Sequence, residues 1–383
     1  MTSHLIHNIG QLLTNDLERP LIENAAIVIE KGRVAWWGED GKSPSVDSET
    51  DAEGCAVLPG FVDSHSHAIF AGDRLNDFLA RMTGVGYQPG GIYRTVAATR
   101  EASDEELRSN LARIVAEFHS HGITTFEIKS GYGLDVVTET RMLRIAKEFT
   151  EETTFLGAHV VAPEFEHDRQ SYLKLITGEM LDAAAPFSKW IDVFCDRGAF
   201  TAEEAEQVLR AGMKQGLRPR LHGNQLESIG AVELAVSSDA ASIDHCTHLS
   251  DNEIDLLAAS QVVATLLPGA EFSTRSPYPD GAKLLSRGVD IALATDCNPG
   301  SSYISSMPLI IALAVREMKL TPLQAISAAT LGGAKALDRH DVGALTVSSA
   351  ADLVMLSAER IEHLAYRPGA QLIKRVMKSG DWL

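Results

Sequence analysis

What most constrains this chain is an alternation: eight apolar, often β-branched runs, each followed by helical sequence. The runs cover residues 57–62, 124–128, 154–156, 190–194, 219–221, 242–243, 262–267 and 291–294. Between them lie amphipathic stretches rich in Ala, Glu and Leu, at 104–118, 137–149, 202–211 and 251–259. Alternating strand and helix signals predict a parallel sheet with helical crossovers. Eight such strands close an α/β fold into a (β/α)8 TIM barrel. An open doubly wound sheet would require a nucleotide-binding glycine loop after the first strand, and none is present. The glycine-rich segment 84–94 reads instead as a long functional loop.

The two ends differ from this centre. Residues 26–30 (AIVIE) and 33–37 (RVAWW) are short β-type runs about the turn Lys31-Gly32. The same character returns at 342–345, 351–356 and 372–377. β-rich ends flanking a long centre predict one small β-sandwich domain built from both termini, residues 1–58 with 340–383, beside a barrel over 59–339. A chain of 383 residues is long enough for both.

Composition narrows the partners. A formal charge of −18 repels phosphate backbones, so neither nucleic acid nor an anionic membrane is expected. The longest apolar stretch, 307–315, is followed at once by Arg316 and Glu317, far short of the ~20 residues of a membrane helix. The N-terminus lacks a basic region leading into a long apolar run, which argues against a signal peptide. Cys55, Cys195, Cys246 and Cys297 are scattered without a CxxC pair, the usage of reduced thiols in a cytoplasm.

Catalytic groups of a barrel sit where its strands end. The first run ends in His65-Ser66-His67, the fifth at His222, the sixth at Asp244-His245 and the eighth at Thr295-Asp296. An HxH on extended backbone turns both imidazoles to one face, because side chains repeat every two residues. Imidazole with carboxylate suits a catalytic zinc or iron that keeps a position open for water. A lone histidine is more often a hydrogen-bonded core or surface residue, but these positions converge under one fold.

That pattern resembles the metal-dependent amidohydrolase superfamily. In its binuclear members a carboxylated lysine or a glutamate on the fourth strand bridges two metals. Here that strand reads Ile191-Asp192-Val193-Phe194-Cys195-Asp196, with neither at its end. The resemblance therefore implies one metal, zinc or iron, on His65, His67, His222 and Asp296, with His245 free for proton transfer. Cys195 and Asp196 are a lesser alternative as ligands.

The finer match runs through the whole barrel. Leu58-Pro59-Gly60-Phe61-Val62-Asp63-Ser64-His65-Ser66-His67 and Gly72-Asp73-Arg74 resemble the opening of the imidazolonepropionase family. So do Lys129-Ser130-Gly131-Tyr132-Gly133-Leu134, Phe155-Leu156-Gly157-Ala158-His159, and Ala294-Thr295-Asp296-Cys297-Asn298-Pro299-Gly300. This resemblance implies a small-molecule substrate, 4-imidazolone-5-propanoate, opened to N-formimidoyl-L-glutamate, and a homodimer. It makes Arg74, Tyr132 and His159 the binders of the propionate tail, with Asn298, Gly300 and Ser301 at the other end and Tyr87 reaching in from the glycine loop. Tyr132, between two glycines, is expected to expose its side chain. His245 and Asp296 become the proton-transfer groups.

The chain departs from some relatives at Gln225, three residues after His222, where they carry glutamate. Gln225 can hydrogen-bond a substrate amide or a water but cannot shuttle a proton, so that duty moves to His245 and Asp296. The loop 271–279 also departs and is expected to reshape the rim of the pocket. Two rival readings remain at this level. A deaminase or other cyclic-amidine hydrolase would share the metal ligands but lack the Arg74, Tyr132 and His159 set. A non-catalytic scaffold would lack a ligand, and every ligand position is filled.

Overall fold

Parallel pairing runs through the centre of the chain. In hydrogen-bonded order, Ile128–Lys129, Thr153–Ala158, Trp190–Cys195, Leu221–Gly223, Ser242–His245, Val263–Leu266 and Ile291–Leu293 lie side by side. The two ends of this row meet at the HxH segment. Lys129 N donates to Ser66 O at 2.9 Å, Asp296 N to His65 O at 3.0 Å, and His67 N to Cys297 O at 3.0 Å. Phe61–Asp63, which leads into that segment, pairs with Ile123–Phe126. Ile123–Phe126 and Ile128–Lys129 are successive pieces of one run, so these nine segments supply the eight strand positions of a (β/α)8 fold.

This computed structural model describes residues 3–84 and 91–383. They divide into two units, one lying within residues 1–64, 116–125 and 306–383 and the other within residues 65–115 and 126–305. Tyr87 lies outside the described residues. No helix among them is long and apolar enough to cross a membrane.

The first unit carries the small β domain. Its sheet runs Asp381–Trp382, Ile373–Lys378, Leu353–Leu356, Val57–Pro59, Ser3–Leu13, Leu21–Glu30 and Arg33–Glu39, with Ser48–Asp51 also against Ser3–Leu13. Both termini therefore contribute strands, and Ile6, Ile9, Leu12, Ile27, Leu353 and Met355 share one buried cluster. Two expectations need correction. The apolar run 57–62 is two strands: Val57–Pro59 pairs with Leu353–Met355 in the small sheet, and only Phe61–Asp63 is barrel. Residues 342–345 form no strand; Leu345 is buried in the cluster all the same, so its apolarity serves packing and not pairing.

The helices of the second unit start where side chains can take up free backbone N–H groups. Thr201 with Glu204 and Ser250 with Glu253 form reciprocal capping boxes ahead of Ala202–Lys214 and Asp251–Ala258. Asp135 caps Val136–Ala146 by accepting from Thr138 N. The segment expected as a loop over 271–279 begins inside a short helix, Pro268–Thr274. Proline at its first turn favours the helix start.

Candidate active site

Two carboxylates buried inside the barrel strands orient two of the histidines. His65 Nδ1 lies 2.7 Å from Asp244 Oδ2, and His222 Nδ1 lies 3.0 Å from Asp192 Oδ1. A ring that donates from Nδ1 keeps its Nε2 lone pair for something else. These lone pairs converge: His222 Nε2 is 3.2 Å from His67 Nε2, and Asp296 Oδ1 is 3.6 Å from His65 Nε2 and 3.7 Å from His67 Nε2. His65 Nε2 is buried without a hydrogen-bond partner among the described residues. Imidazole nitrogens and a carboxylate oxygen gathered around a shared point are what a cation requires.

Donor atoms of His65, His67 and Asp296, and of His65, His222 and His245, lie within 4.8 Å of one another. These groups fit a transition metal by donor chemistry as well as by distance. A third group, Asp192, His222 and Asp244, meets the same distance limit, but a side chain already supplies its cation. The Lys129 ammonium is 2.8 Å from Asp192 Oδ2, 3.7 Å from Asp244 Oδ2 and 2.9 Å from Glu127 Oε1. Arg220 Nη2 approaches Asp244 Oδ2 at 3.5 Å.

Burial sets the charge states. Desolvation holds His65 and His67 well below the usual histidine range, with neighbouring cations and imidazoles adding to it. Desolvation brings His245 and His159 down to about 3, so both are neutral imidazoles at neutral pH. It pushes the Asp296 carboxyl well above the carboxylate range. Both His245 (φ 82) and Asp296 (φ 50) occupy the left-handed region, which costs a non-glycine residue ~1–3 kcal/mol and tends to mark functional sites.

One pocket brings most of the sequence-predicted residues together. It is lined by His67, Arg74, Tyr132, His159, His222, Gln225, His245, Asp296, Asn298, Gly300 and Ser301, with Ile92, Val160 and Phe194. The Arg74 guanidinium is buried, with Nε on Asp77 Oδ2 at 2.7 Å. A Cβ on Gly300 would stand 2.5 Å from Arg74 Nη1, and one on Gly91 2.2 Å from Nη2. Both glycines leave the space that the fork occupies. Tyr132 is only 3% exposed, against expectation: its loop folds inward and packs the ring against His67 and His159.

Other side chains build the loops that present these groups. Asn298, expected to face substrate, spends its amide on its own loop. Its Oδ1 accepts from Gly300 N at 2.7 Å and Ser301 N at 2.8 Å, and its Nδ2 donates to Asp296 O at 2.6 Å. Ser301 Oγ is 3.2 Å from Asp296 Oδ2. Asp196 accepts from Gln225 N, Leu226 N and Glu227 N. Burial raises the Cys195 thiol to about 12, and neither Cys195 nor Asp196 joins a ligand group among the described residues.

The supporting charges Glu127, Lys129, Asp192, Arg220 and Asp244 were not singled out as functional by sequence. A signal for them existed. Asp192 and Asp244 lie within short, largely apolar strands, Lys129 ends one, and Glu127 and Arg220 stand directly beside such strands; burial there is tolerated only if the charge is paired.

The amidohydrolase family model matches residues 56–383. An imidazolonepropionase of Streptomyces coelicolor is 55% identical over 385 residues, covering 99% of this chain and 98% of that one. One from Salinispora arenicola is 56% identical over 386 residues with the same coverage. Among solved structures, a triazine hydrolase variant superposes with a TM-score of 0.75 at 16% identity, over 100% of this chain and 95% of that one. A guanine deaminase from C. acetobutylicum does so at 0.74 and 15%, over 100% of both. The chain belongs to the amidohydrolase family and, within it, to the imidazolonepropionases.

Proposed function

We propose that this chain hydrolyses the cyclic amide of 4-imidazolone-5-propanoate to N-formimidoyl-L-glutamate, a step of histidine degradation. The observation that carries the reading is that a buried arginine fork, Arg74, lines the same pocket as His67, His222, His245 and Asp296. A metal group hydrolyses many ring amides; a guanidinium facing it selects a substrate with a carboxylate. The near-full-length relatives named above support the same substrate.

His65, His67, His222 and Asp296 would hold one transition metal, zinc or iron. Such a metal supplies Lewis acidity and lowers the pKa of a water from 15.7 to roughly 7. Arg74, with Tyr132 and His159, binds the propionate. Gln225 hydrogen-bonds the ring amide; Gly300 lies against the Arg74 guanidinium and not, as expected, at the other end of the substrate, and Ser301 stands beside Asp296. Neutral His245 takes up the proton that water releases as its oxygen bonds to the ring carbonyl carbon. Asp296 takes the other proton of that water and delivers it to the ring nitrogen as the C–N bond breaks, leaving a carboxylate and a formimidoyl nitrogen.

The same proposal assigns residues 1–58 and 340–383 to the small β domain and 59–339 to the catalytic barrel, with a cytoplasmic homodimer as the working form. The test is ultraviolet loss of imidazolone absorbance by metal-loaded protein, with guanine and triazine substrates alongside. Turnover of those substrates and none of imidazolone propionate would sink the assignment.

A further inference from the structure

The segment 271–279, expected to depart from the family pattern, begins inside the helix Pro268–Thr274, none of whose residues lines the pocket. Its Glu271 is 2% exposed. Glu271 Oε1 accepts from Thr247 Oγ1 at 2.7 Å, while Oε2 is buried with no hydrogen-bond partner among the described residues. Burying a carboxyl with one oxygen left unpartnered is costly, and burial raises this one to about 7. Stability alone gives no reason for such an arrangement.

Thr247 offers one. It follows His245 by two residues, and both His245 (φ 82) and Cys246 (φ 55) are left-handed. Two consecutive strained non-glycine residues persist only where their surroundings over-determine them. Backbone bonds hold part of the segment: Cys246 N donates to Gly223 O at 3.2 Å and His248 N to Asn224 O at 2.9 Å. At Thr247, between them, the hold is the side-chain bond to Glu271.

We propose that the Glu271–Thr247 hydrogen bond is a latch that fixes the strained His245 segment, making Glu271 and Thr247 positioning residues for proton transfer by His245. The latch rests on the reading of His245 given above. It does not touch the substrate. It also explains why an acid is kept inside a helix that contributes nothing to the pocket lining.

The experiment uses the metal-loaded full chain and imidazolone propionate. Thr247→Val, which matches the shape of threonine, carries the decision, because Glu271→Ala opens a cavity. Thr247→Val and Glu271→Ala should each lower kcat by roughly tenfold to a hundredfold, the scale of a small misplacement of a reacting group. KM and metal content should stay near wild type. The double variant should be no slower than the slower single, since one bond is broken in each. Glu271→Gln keeps an acceptor for the Thr247 hydroxyl and should restore most of the rate. Wild-type kcat in Thr247→Val, additive losses in the double variant, or Glu271→Gln as slow as Glu271→Ala would each overturn the latch. A parallel His245→Asn separates the two readings. If it turns over normally, the role of His245 itself falls; if it is slow while Thr247→Val is normal, only the latch does.

Discussion

At the floor of the pocket, His65 and His222 each point one ring nitrogen at a buried carboxylate, and Lys129 sits between those carboxylates. At the rim, Tyr132, Gln225 and Gly300 ride on loops whose backbone N–H groups are gathered by one side chain apiece. Glu139 takes Gly131 N, Gly133 N and Leu134 N; Asp196 and Asn298 do the same for the other two. The floor is therefore a balance of charges between side chains, and the rim is backbone shape set by single acceptors. The two should fail differently. Removing one member of a buried charge pair leaves the other uncompensated, at about 3–5 kcal/mol. Weakening one acceptor of backbone N–H groups relaxes a loop and leaves the rest standing.

The largest expected effect lies at the floor. His65→Ala or Asp296→Ala should abolish both metal retention and turnover, while wild type should hold close to one metal per chain by elemental analysis. Two tightly held equivalents, both needed for turnover, would break the picture in which Lys129 supplies the second cation.

Arg74 joins floor to rim and comes next. Arg74→Met should leave metal content intact and lower kcat/KM towards imidazolone propionate tenfold to a thousandfold, since an unpaired buried charge costs on the order of 2–5 kcal/mol. An analogue lacking the tail carboxylate should react poorly with wild type and be almost indifferent to the substitution. Equal losses on both substrates in this two-by-two comparison would show that Arg74 does not meet the carboxylate.

A purely rim effect should be smaller and should fall on binding. Glu139→Gln keeps one oxygen for the loop but turns an amide N–H2 towards backbone donors. Weakening hydrogen bonds to a charged acceptor costs on the order of 1–3 kcal/mol. KM should rise, with kcat and metal content nearly unchanged. If the metal is lost as well, floor and rim are not separable.

The same division governs how much could be read from the sequence. Floor residues carry their chemistry in their identity and end strands whose apolar runs are visible, so the convergence of His65, His67, His222, His245 and Asp296 was legible. Their partners were less so, because Asp192 and Asp244 sit within strands, and which way such a residue faces depends on register. The rim was least legible. Nothing in Asn298 says that its amide will be consumed by Gly300 and Ser301, and the glycines around Tyr132 argued for exposure where the loop turns inward. The barrel itself was clear from eight runs. The break at Gly60 was not, since Val57–Pro59 and Phe61–Asp63 read as one apolar stretch although they belong to different sheets.

The smallest effect on turnover, and the most specific for Glu271, concerns stability against pH. In the folded chain its carboxyl is raised from an ordinary 4.5 to about 7, chiefly by burial. The titratable groups that register it are Asp296 and the Cys246 thiol, both themselves pushed up. The folded state thus binds the proton more tightly than the unfolded one. Linkage then makes this residue's contribution complete below its ordinary value and lost as pH rises through about 7. The swing is on the order of a few kcal/mol, at about 1.4 kcal/mol per pKa unit. Glu271→Gln cannot ionise. Its stability relative to wild type should therefore climb between pH 4.5 and 8, while the latch to Thr247 and the turnover are kept. Urea denaturation of both proteins, metal-loaded, at pH 5 and pH 8 measures that difference directly. The quantity to read is the change between the two pH values, because an orphan amide in place of an orphan carboxyl shifts both curves alike. Parallel behaviour across the window would mean that Glu271 is already ionised in the folded chain and that its buried oxygen is solvated.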